Sequence, residues 1–138
     1  MAETFVLDSF AVLALLGREP GSQEVADLLR KAQEEKARVL MTWVNAGEIA
    51  YIVERRWGVE RLYAALALME ATALEIVPVD RELALTAAHI KAEHTIAYAD
   101  AFAAALTRQY AATLVTGDPE FKLLDGVVDI HWLPQREP

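Results

Sequence analysis

Short apolar runs of strand-forming residues alternate with helical segments along this chain, and that alternation restricts the fold more than any other feature of the sequence. The helical segments carry apolar side chains at helical spacing and come singly or in pairs between the runs. Strands and helices that alternate in this way form a parallel sheet covered on both faces. We therefore predict a three-layer α/β/α fold with a central, mainly parallel sheet, whose strands lie at residues 4–7, 39–41, 74–77, 113–116 and, at an edge, 127–130.

Two aspartates stand where predicted strands end. Asp8 comes directly after the first apolar run, and Asp118 follows the run 113–116 after one glycine. Ligands of open α/β sheets bind outside the carboxyl ends of the strands, so we expect both carboxylates at that edge. Each residue alone is also an ordinary turn or capping acid. Only their combination with further acids predicts a functional pocket.

Two more acids lie near the starts of predicted helices. Asp100 is surrounded by apolar residues, where a charged carboxylate needs a partner or a cation. Glu48 has a local alternative, because Asn45 as N-cap with Glu48 three residues later resembles a capping box. Carboxylates that meet in one pocket repel each other unless some are protonated or a cation binds. An all-oxygen site favours a hard divalent ion, Mg²⁺ or Mn²⁺.

Other polar side chains have weaker claims on this pocket. Ser9 and Thr116 carry hydroxyls suited to a metal-bound water or a phosphate, although Ser9 is also the predicted N-cap of the first helix and Thr116 a strand-end hydroxyl. Glu120 follows Asp118 by two residues, and we expect of it at most a contact to metal through water. We keep Glu120 outside the predicted set.

Length, charge and cysteine content exclude several classes of protein. The 138 residues predict one domain, 1–138, long enough to bury a core. With no cysteine, the chain has no disulfide, zinc–thiolate site or thiol nucleophile. The net charge of −8 argues against a protein that coats nucleic acid non-specifically. No apolar run approaches membrane-spanning length and no signal-peptide pattern is visible, so we expect no membrane association and a cytoplasmic location.

The four acids and their flanking residues resemble the PIN domain family, and within it the VapC-type toxins of toxin–antitoxin pairs. The resemblance spans essentially the whole chain, and residues 5–16 and 46–51 resemble the stretches that carry the family's first and second acids. Two stretches are more specific: YADAFAAAL at 98–106 resembles the third-acid helix, and TGDPEF at 116–121 resembles the last motif, a hydroxyl at Thr116 followed by the acid Asp118. Asn45 departs from the pattern, since many relatives carry a hydroxyl or apolar residue there.

The resemblance implies a Mg²⁺- or Mn²⁺-dependent endoribonuclease. Asp8, Glu48, Asp100 and Asp118 would be its metal-binding and catalytic residues, with an RNA substrate such as tRNA or rRNA. From the charge pattern rather than the resemblance, two basic side chains, Arg55 and Arg56, are candidates to rim the pocket and contact the RNA, with a solvated helix end as the alternative.

The resemblance also implies a homodimer and a VapB-type antitoxin as partners. An antitoxin helix laid into an apolar groove would use the helix-in-groove mode of recognition. Apolar and aromatic residues of the third and fourth helical segments are the candidates for that groove, with core packing as the alternative: Trp43, Tyr51, Trp57, Leu62 and Tyr63.

Three other classes compete with this interpretation. A receiver-type signalling domain also gathers acids at the edge of a parallel sheet, and Asp80 would be its phosphate acceptor, but the last predicted strand is not followed by the lysine it needs. A dehalogenase-type phosphatase needs a second aspartate at position 10, which is Phe10. A PIN-fold protein that binds or processes RNA outside toxin–antitoxin systems stays open as an alternative.

Overall fold

The computed structural model describes residues 2–134, which form a five-stranded sheet and the helices that cover it. The strands are β1 Glu3–Leu7, β2 Ala37–Thr42, β3 Glu75–Val77, β4 Thr113–Thr116 and β5 Asp129–Trp132. The α-helices are α1 Ser9–Leu16, α2 Ser22–Gln33, α3 Trp43–Trp57, α4 Val59–Ala71, α5 Arg81–Glu93 and α6 Tyr98–Gln109. A 3₁₀ helix, Pro119–Leu124, joins β4 to β5.

The strand order is β3-β2-β1-β4-β5, and each neighbouring pair is parallel. The predicted α/β class and central sheet are therefore confirmed. The order reverses between β1 and β4, which makes the carboxyl ends of these two strands the topological switch point where ligands of open sheets bind. The receiver-type alternative is wrong, because that fold has the order 2-1-3-4-5.

Alternate residues of the central strands face two separate cores. Val6, Leu40 and Leu114 point to the side covered by α5 and α6, where the alanine-rich segment of α6 packs closely. The next residues along the same strands, Leu7 and Val115 among them, point to the side covered by α1 to α4. Burial on both faces explains why the strands read as continuous apolar runs.

The edge strand β5 starts two residues later than the predicted 127–130. The backbone N–H groups of Val127 and Val128 both donate to the carbonyl of Leu124, so these residues belong to the turn after the 3₁₀ helix. Pairing with β4 begins only at Asp129, opposite Thr113. The edge position of the strand is as predicted, since β5 ends the strand order.

The predicted cap of α1 is wrong, and so is the cap that the capping-box alternative gave to α3. Asp8, not Ser9, is the N-cap of α1, because its carboxylate accepts the backbone N–H of Ala11 at 2.9 Å. Thr42, not Asn45, is the N-cap of α3, and its hydroxyl oxygen accepts the N–H of Asn45 at 3.0 Å. In both cases the cap lies earlier in the chain than the sequence suggests. Asp8 directly follows β1, and Thr42 is the last residue of β2.

The single-domain prediction of 1–138 stays a prediction, and residues 1 and 135–138 lie outside the described chain. Among residues 2–134, no helix combines the length and the apolar character that crossing a membrane requires.

Candidate metal centre

Asp8 is held rigidly at the carboxyl end of β1. It is 1% exposed, and each of its carboxylate oxygens accepts a hydrogen bond. One oxygen accepts the N–H of Ala11, and the other accepts the hydroxyl of Thr116 at 2.5 Å. Because Thr116 ends β4, this second bond ties together the two strands that flank the switch point.

A chain of hydrogen bonds continues from Asp8 to Asp118. The backbone N–H of Asp118 donates to the hydroxyl oxygen of Thr116 at 3.0 Å, while the Thr116 hydroxyl donates to Asp8. The carboxylate of Asp118 in turn accepts the backbone N–H of Glu120 at 3.0 Å, as the N-cap of the 3₁₀ helix. These bonds fix the spacing between the backbone after β4 and the carboxylate after β1.

The loop between Thr116 and Asp118 has room only for glycine. A Cβ atom added to Gly117 would lie 2.4 Å from Cε1 of Phe10, a residue of α1. The close approach of Phe10 to this backbone sets the distance between α1 and the turn that carries Asp118.

Asp100 stands opposite these two aspartates, in the first turn of α6, and is 9% exposed. One carboxylate oxygen from each of Asp100, Asp118 and Glu120 lies within 4.8 Å of the others. Glu120 is therefore part of the cluster, although the sequence placed it outside. The sequence feature that indicates this position of Glu120 is Pro119, because Pro119 opens the turn that brings Glu120 beside Asp118.

Glu48 lies in α3, half-buried, and is close enough to Asp100 for its charge to act on that carboxyl. The capping-box alternative for Glu48 is wrong, because Asn45 already occupies the third position of the helix and is itself paired with Thr42. The Nδ2 of Asn45 donates to the carbonyl of Ala99 at 3.0 Å. Asn45 thus joins the start of α3 to the start of α6, next to Asp100.

The electrostatic environment of the cluster favours the binding of a positive charge. Burial is the main cause that raises the pKa of Asp8 to about 7, against the hydrogen bonds from Thr116 and Ala11, which lower it. Burial also raises the pKa of Asp100 to about 7, followed by repulsion from Asp118, Glu48 and Glu120. Within residues 2–134, none of these five carboxylates has a Lys, Arg or His nitrogen within 4.0 Å.

The donor set fits a hard divalent cation. All five side chains offer carboxylate oxygen, which Mg²⁺ and Mn²⁺ prefer over nitrogen and sulfur ligands. Two oxygens bound to one Mg²⁺ at about 2.1 Å lie at most about 4.2 Å apart, and the Asp100, Asp118 and Glu120 oxygens all lie within 4.8 Å of one another. Asp8 and Glu48 stand outside that closest group and add negative charge to it.

The remaining predicted site residues, Ser9, Arg55 and Arg56, contact other parts of the chain. The hydroxyl of Ser9 donates to the backbone carbonyl of Asn45 at 3.3 Å, so it supports the junction of α1 and α3. Arg55 and Arg56 are exposed in the last turn of α3, where the guanidinium groups stand over the rings of Tyr51 and Trp57, at 5.3 and 5.9 Å from the ring centroids.

An apolar groove of about 350 Å³ lies between α1, α3 and α4. Trp57, one of the residues predicted for the antitoxin groove, lines it together with Leu13, Leu16 and Leu68. The other predicted groove residues lie outside its lining: Trp43, Tyr51 and Tyr63 are exposed elsewhere, and Leu62 is half-buried.

The parallel sheet and the carboxylate cluster at its switch point define the class of this protein. It is an α/β protein with an acidic site whose possible ligand atoms are carboxylate oxygens. The PIN domain family matches residues 5–127, and the chain belongs to that family. The predicted family is thereby confirmed. A comparison with curated proteins gave no match.

Three solved structures have a similar fold. A chain of VapBC2 from Rickettsia felis, bound to a promoter DNA fragment, has a TM-score of 0.76 at 18% identity, covering 95% of this chain and 99% of that one. DNA-bound VapBC from Salmonella typhimurium gives 0.73 at 20% identity, with 95% and 98% covered. VapC20 from Mycobacterium tuberculosis, a toxin that cleaves the sarcin–ricin loop, gives 0.70 at 20% identity, with 96% and 100% covered.

Proposed function

We propose that this chain is a VapC-like toxin, a Mg²⁺- or Mn²⁺-dependent endoribonuclease that hydrolyses RNA phosphodiester bonds. The observation that carries the proposal is the cluster of carboxylates at the switch point, in which burial raises the pKa of Asp8 and Asp100 to about 7 and, within residues 2–134, no Lys, Arg or His nitrogen lies within 4.0 Å of a carboxylate of the cluster. Membership in the PIN domain family and the likeness to VapC20 support RNA as the substrate class, with tRNA or rRNA first.

Asp8, Asp100 and Asp118 hold the metal in this proposal, and Glu48 and Glu120 bind it directly or through water. When bound, the metal orients and activates water and stabilises the leaving oxygen of the phosphodiester. The hydroxyl of Thr116 keeps Asp8 in one rotamer, and the N–H of Asp118 keeps Thr116 in place. Metal binding releases the protons that Asp8 and Asp100 retain near neutral pH, so metal affinity rises with pH.

RNA cleavage tests the proposal. A panel of tRNAs and structured rRNA fragments, the sarcin–ricin loop among them, is incubated with wild type, Asp8→Asn and Asp100→Asn in Mg²⁺ or Mn²⁺, each with an EDTA control. We expect cleavage by wild type only, and only with metal. Asp80→Asn is the matched control, because Asp80 caps α5 through Leu83 and asparagine caps equally well.

Two outcomes would overturn the assignment. Cleavage that survives Asp100→Asn, or that continues in EDTA, removes the carboxylate cluster from the reaction. Wild-type protein that is folded, free of antitoxin and inactive on the whole panel favours the alternative of a PIN-fold protein that binds RNA without cutting it.

A VapB-type antitoxin and a second copy of the chain are the proposed protein partners, and the cytoplasm is the proposed location. The VapBC structures support the antitoxin, since in each of them a chain with a fold similar to this one belongs to a DNA-bound VapBC assembly. The groove between α1, α3 and α4 offers apolar lining for one helix of such a partner. Trp57→Ala should weaken co-purification with the antitoxin, and size-exclusion chromatography with light scattering measures both the complex and the homodimer.

A further inference from the structure

We infer that Tyr51 and Arg55 form a binding subsite for one unpaired nucleotide of the RNA, with the base stacked on Tyr51 and its phosphate paired with Arg55. The inference rests on the proposed ribonuclease function and deepens it, because it names single-stranded RNA beside the carboxylates as the bound form. Hereafter the two residues are called the stacking pair.

The stacking pair lies on the same stripe of α3 as Glu48. Tyr51 lies three positions after Glu48, and Arg55 lies seven positions after it. The three side chains therefore project within about 60° of one another around the helix. Along the axis, Tyr51 stands about 4.5 Å and Arg55 about 10 Å beyond Glu48. Because Glu48 acts on Asp100, the stripe starts at the carboxylate cluster and runs away from it.

The pair offers the two groups that bind single-stranded nucleic acid. The Tyr51 side chain is half exposed, at 51%, and the guanidinium of Arg55 stands 5.3 Å from its ring centroid. Aromatic rings stack on unpaired bases of any sequence, and arginine adds charge for the phosphate and a cation–π contribution. Arg55 forms no ion pair within residues 2–134, so its charge is available to a ligand.

The surroundings favour RNA over a protein helix at this stripe. An antitoxin helix needs a continuous apolar surface, and that surface is the groove between α1, α3 and α4, whose lining contains Trp57 but neither member of the stacking pair. The stripe itself is polar, carries the guanidinium of Arg55 and leads to the carboxylate cluster that is proposed to bind metal. These features complement a phosphodiester chain.

The same chain supplies a comparison pair of similar ring-to-guanidinium geometry at the amino ends of the strands, although its arginine, Arg38, is also ion-paired with Glu75 at 2.7 Å. The guanidinium of Arg38 stands 5.1 Å from the ring centroid of Tyr110, which is 37% exposed. Arg38 belongs to the start of β2 and Tyr110 precedes β4, so this pair lies at the amino ends of the strands, opposite the carboxylates.

The test is the affinity for fluorescein-labelled uridine and adenosine hexanucleotides, measured by fluorescence anisotropy in Ca²⁺, with gels to show that the RNA stays intact. We expect Tyr51→Ala to raise Kd about 5- to 100-fold for both oligonucleotides, and Tyr51→Phe to stay within about two-fold of wild type, because the ring is kept. Arg55→Ala should lower the slope of log K against log salt by about 0.7, the value for one phosphate contact to a single strand.

The comparison variants Tyr110→Ala and Arg38→Ala should bind as wild type does, and circular dichroism verifies that every variant is folded. The inference is overturned if Tyr51→Ala binds normally, if Tyr110→Ala loses as much, or if wild type binds neither hexanucleotide. Asp100→Asn separates this result from the proposed function: it should abolish cleavage and leave the effect of Tyr51→Ala on binding unchanged.

Discussion

Replacing Asp8 by asparagine should change how folding stability depends on pH. In metal-free protein, burial raises the pKa of Asp8 from 3.8 to about 7, so between these values the folded chain keeps a proton that the unfolded chain has lost. Stability therefore falls as the pH rises through that window. For a shift of this size, the loss for this one carboxyl is about 4 kcal/mol and is complete above pH 7.

Asparagine removes this pH-dependent loss of folding stability, and it lowers the stability by a smaller amount that is the same at every pH. Its side-chain oxygen still accepts the N–H of Ala11, but its amide cannot accept the hydroxyl of Thr116, which costs about 1 kcal/mol. Asp8→Asn should thus be about 1 kcal/mol less stable than wild type below pH 4 and about 3 kcal/mol more stable at pH 8.

Urea denaturation in EDTA, at unit steps from pH 4 to pH 8, measures the difference. The midpoint of Asp8→Asn should rise relative to wild type by roughly 1.3 to 4 M urea across the series, which is about 4 kcal/mol divided by a slope of about 1 to 3 kcal/mol per M. Adding Mg²⁺ at pH 8 should reduce the gap, because the metal stabilises wild type by about 2.7 kcal/mol at 100 times its Kd and stabilises the variant less. A difference that is the same at every pH would refute the reasoning.

Three further changes test how the site is held together. Gly117→Ala should destabilise the fold by about 1 to 3 kcal/mol and weaken Mn²⁺ binding, because the new methyl group displaces the ring of Phe10 or the backbone of the turn; thermal melts and calorimetric titration measure both effects. Asn45→Ala should cost about 1 to 3 kcal/mol in urea denaturation, since it removes a buried amide that accepts the hydroxyl of Thr42 and donates to the half-buried carbonyl of Ala99. Glu120→Gln should weaken Mn²⁺ binding about 10-fold in calorimetric titration with little change in stability; unchanged affinity would remove Glu120 from the metal centre.

The layered fold and the edge that holds the acids could be predicted from the sequence because each depends on local patterns. Apolar runs separated by helical periodicity define the strands, and an acid at the end of such a run can only emerge at the carboxyl edge of a parallel sheet. Asp8 and Asp118 follow directly from that rule. Asp100 follows from the cost of leaving a carboxylate among apolar neighbours without a partner.

The details that were missed depend on contacts between distant parts of the chain. Thr116 bonds to Asp8 across 108 positions, and no local pattern records that bond. The capping-box alternative placed Asn45 at the cap of α3 because Asn45 and Thr42 are both good caps, and only the bond from Asn45 to Ala99 shows that Asn45 contacts the neighbouring helix. Glu120 was underrated because its position depends on the geometry of the 3₁₀ turn.

The central claim is that the carboxylates at the switch point bind a divalent metal, and anomalous diffraction from crystals soaked in Mn²⁺ tests it most directly. We expect one strong anomalous peak between the carboxylates of Asp100, Asp118 and Glu120, on the side that faces Asp8 and Glu48. The peak should vanish in Asp100→Asn crystals grown in the same form. Manganese bound only elsewhere, or no peak at a Mn²⁺ concentration that supports RNA cleavage, would contradict the account.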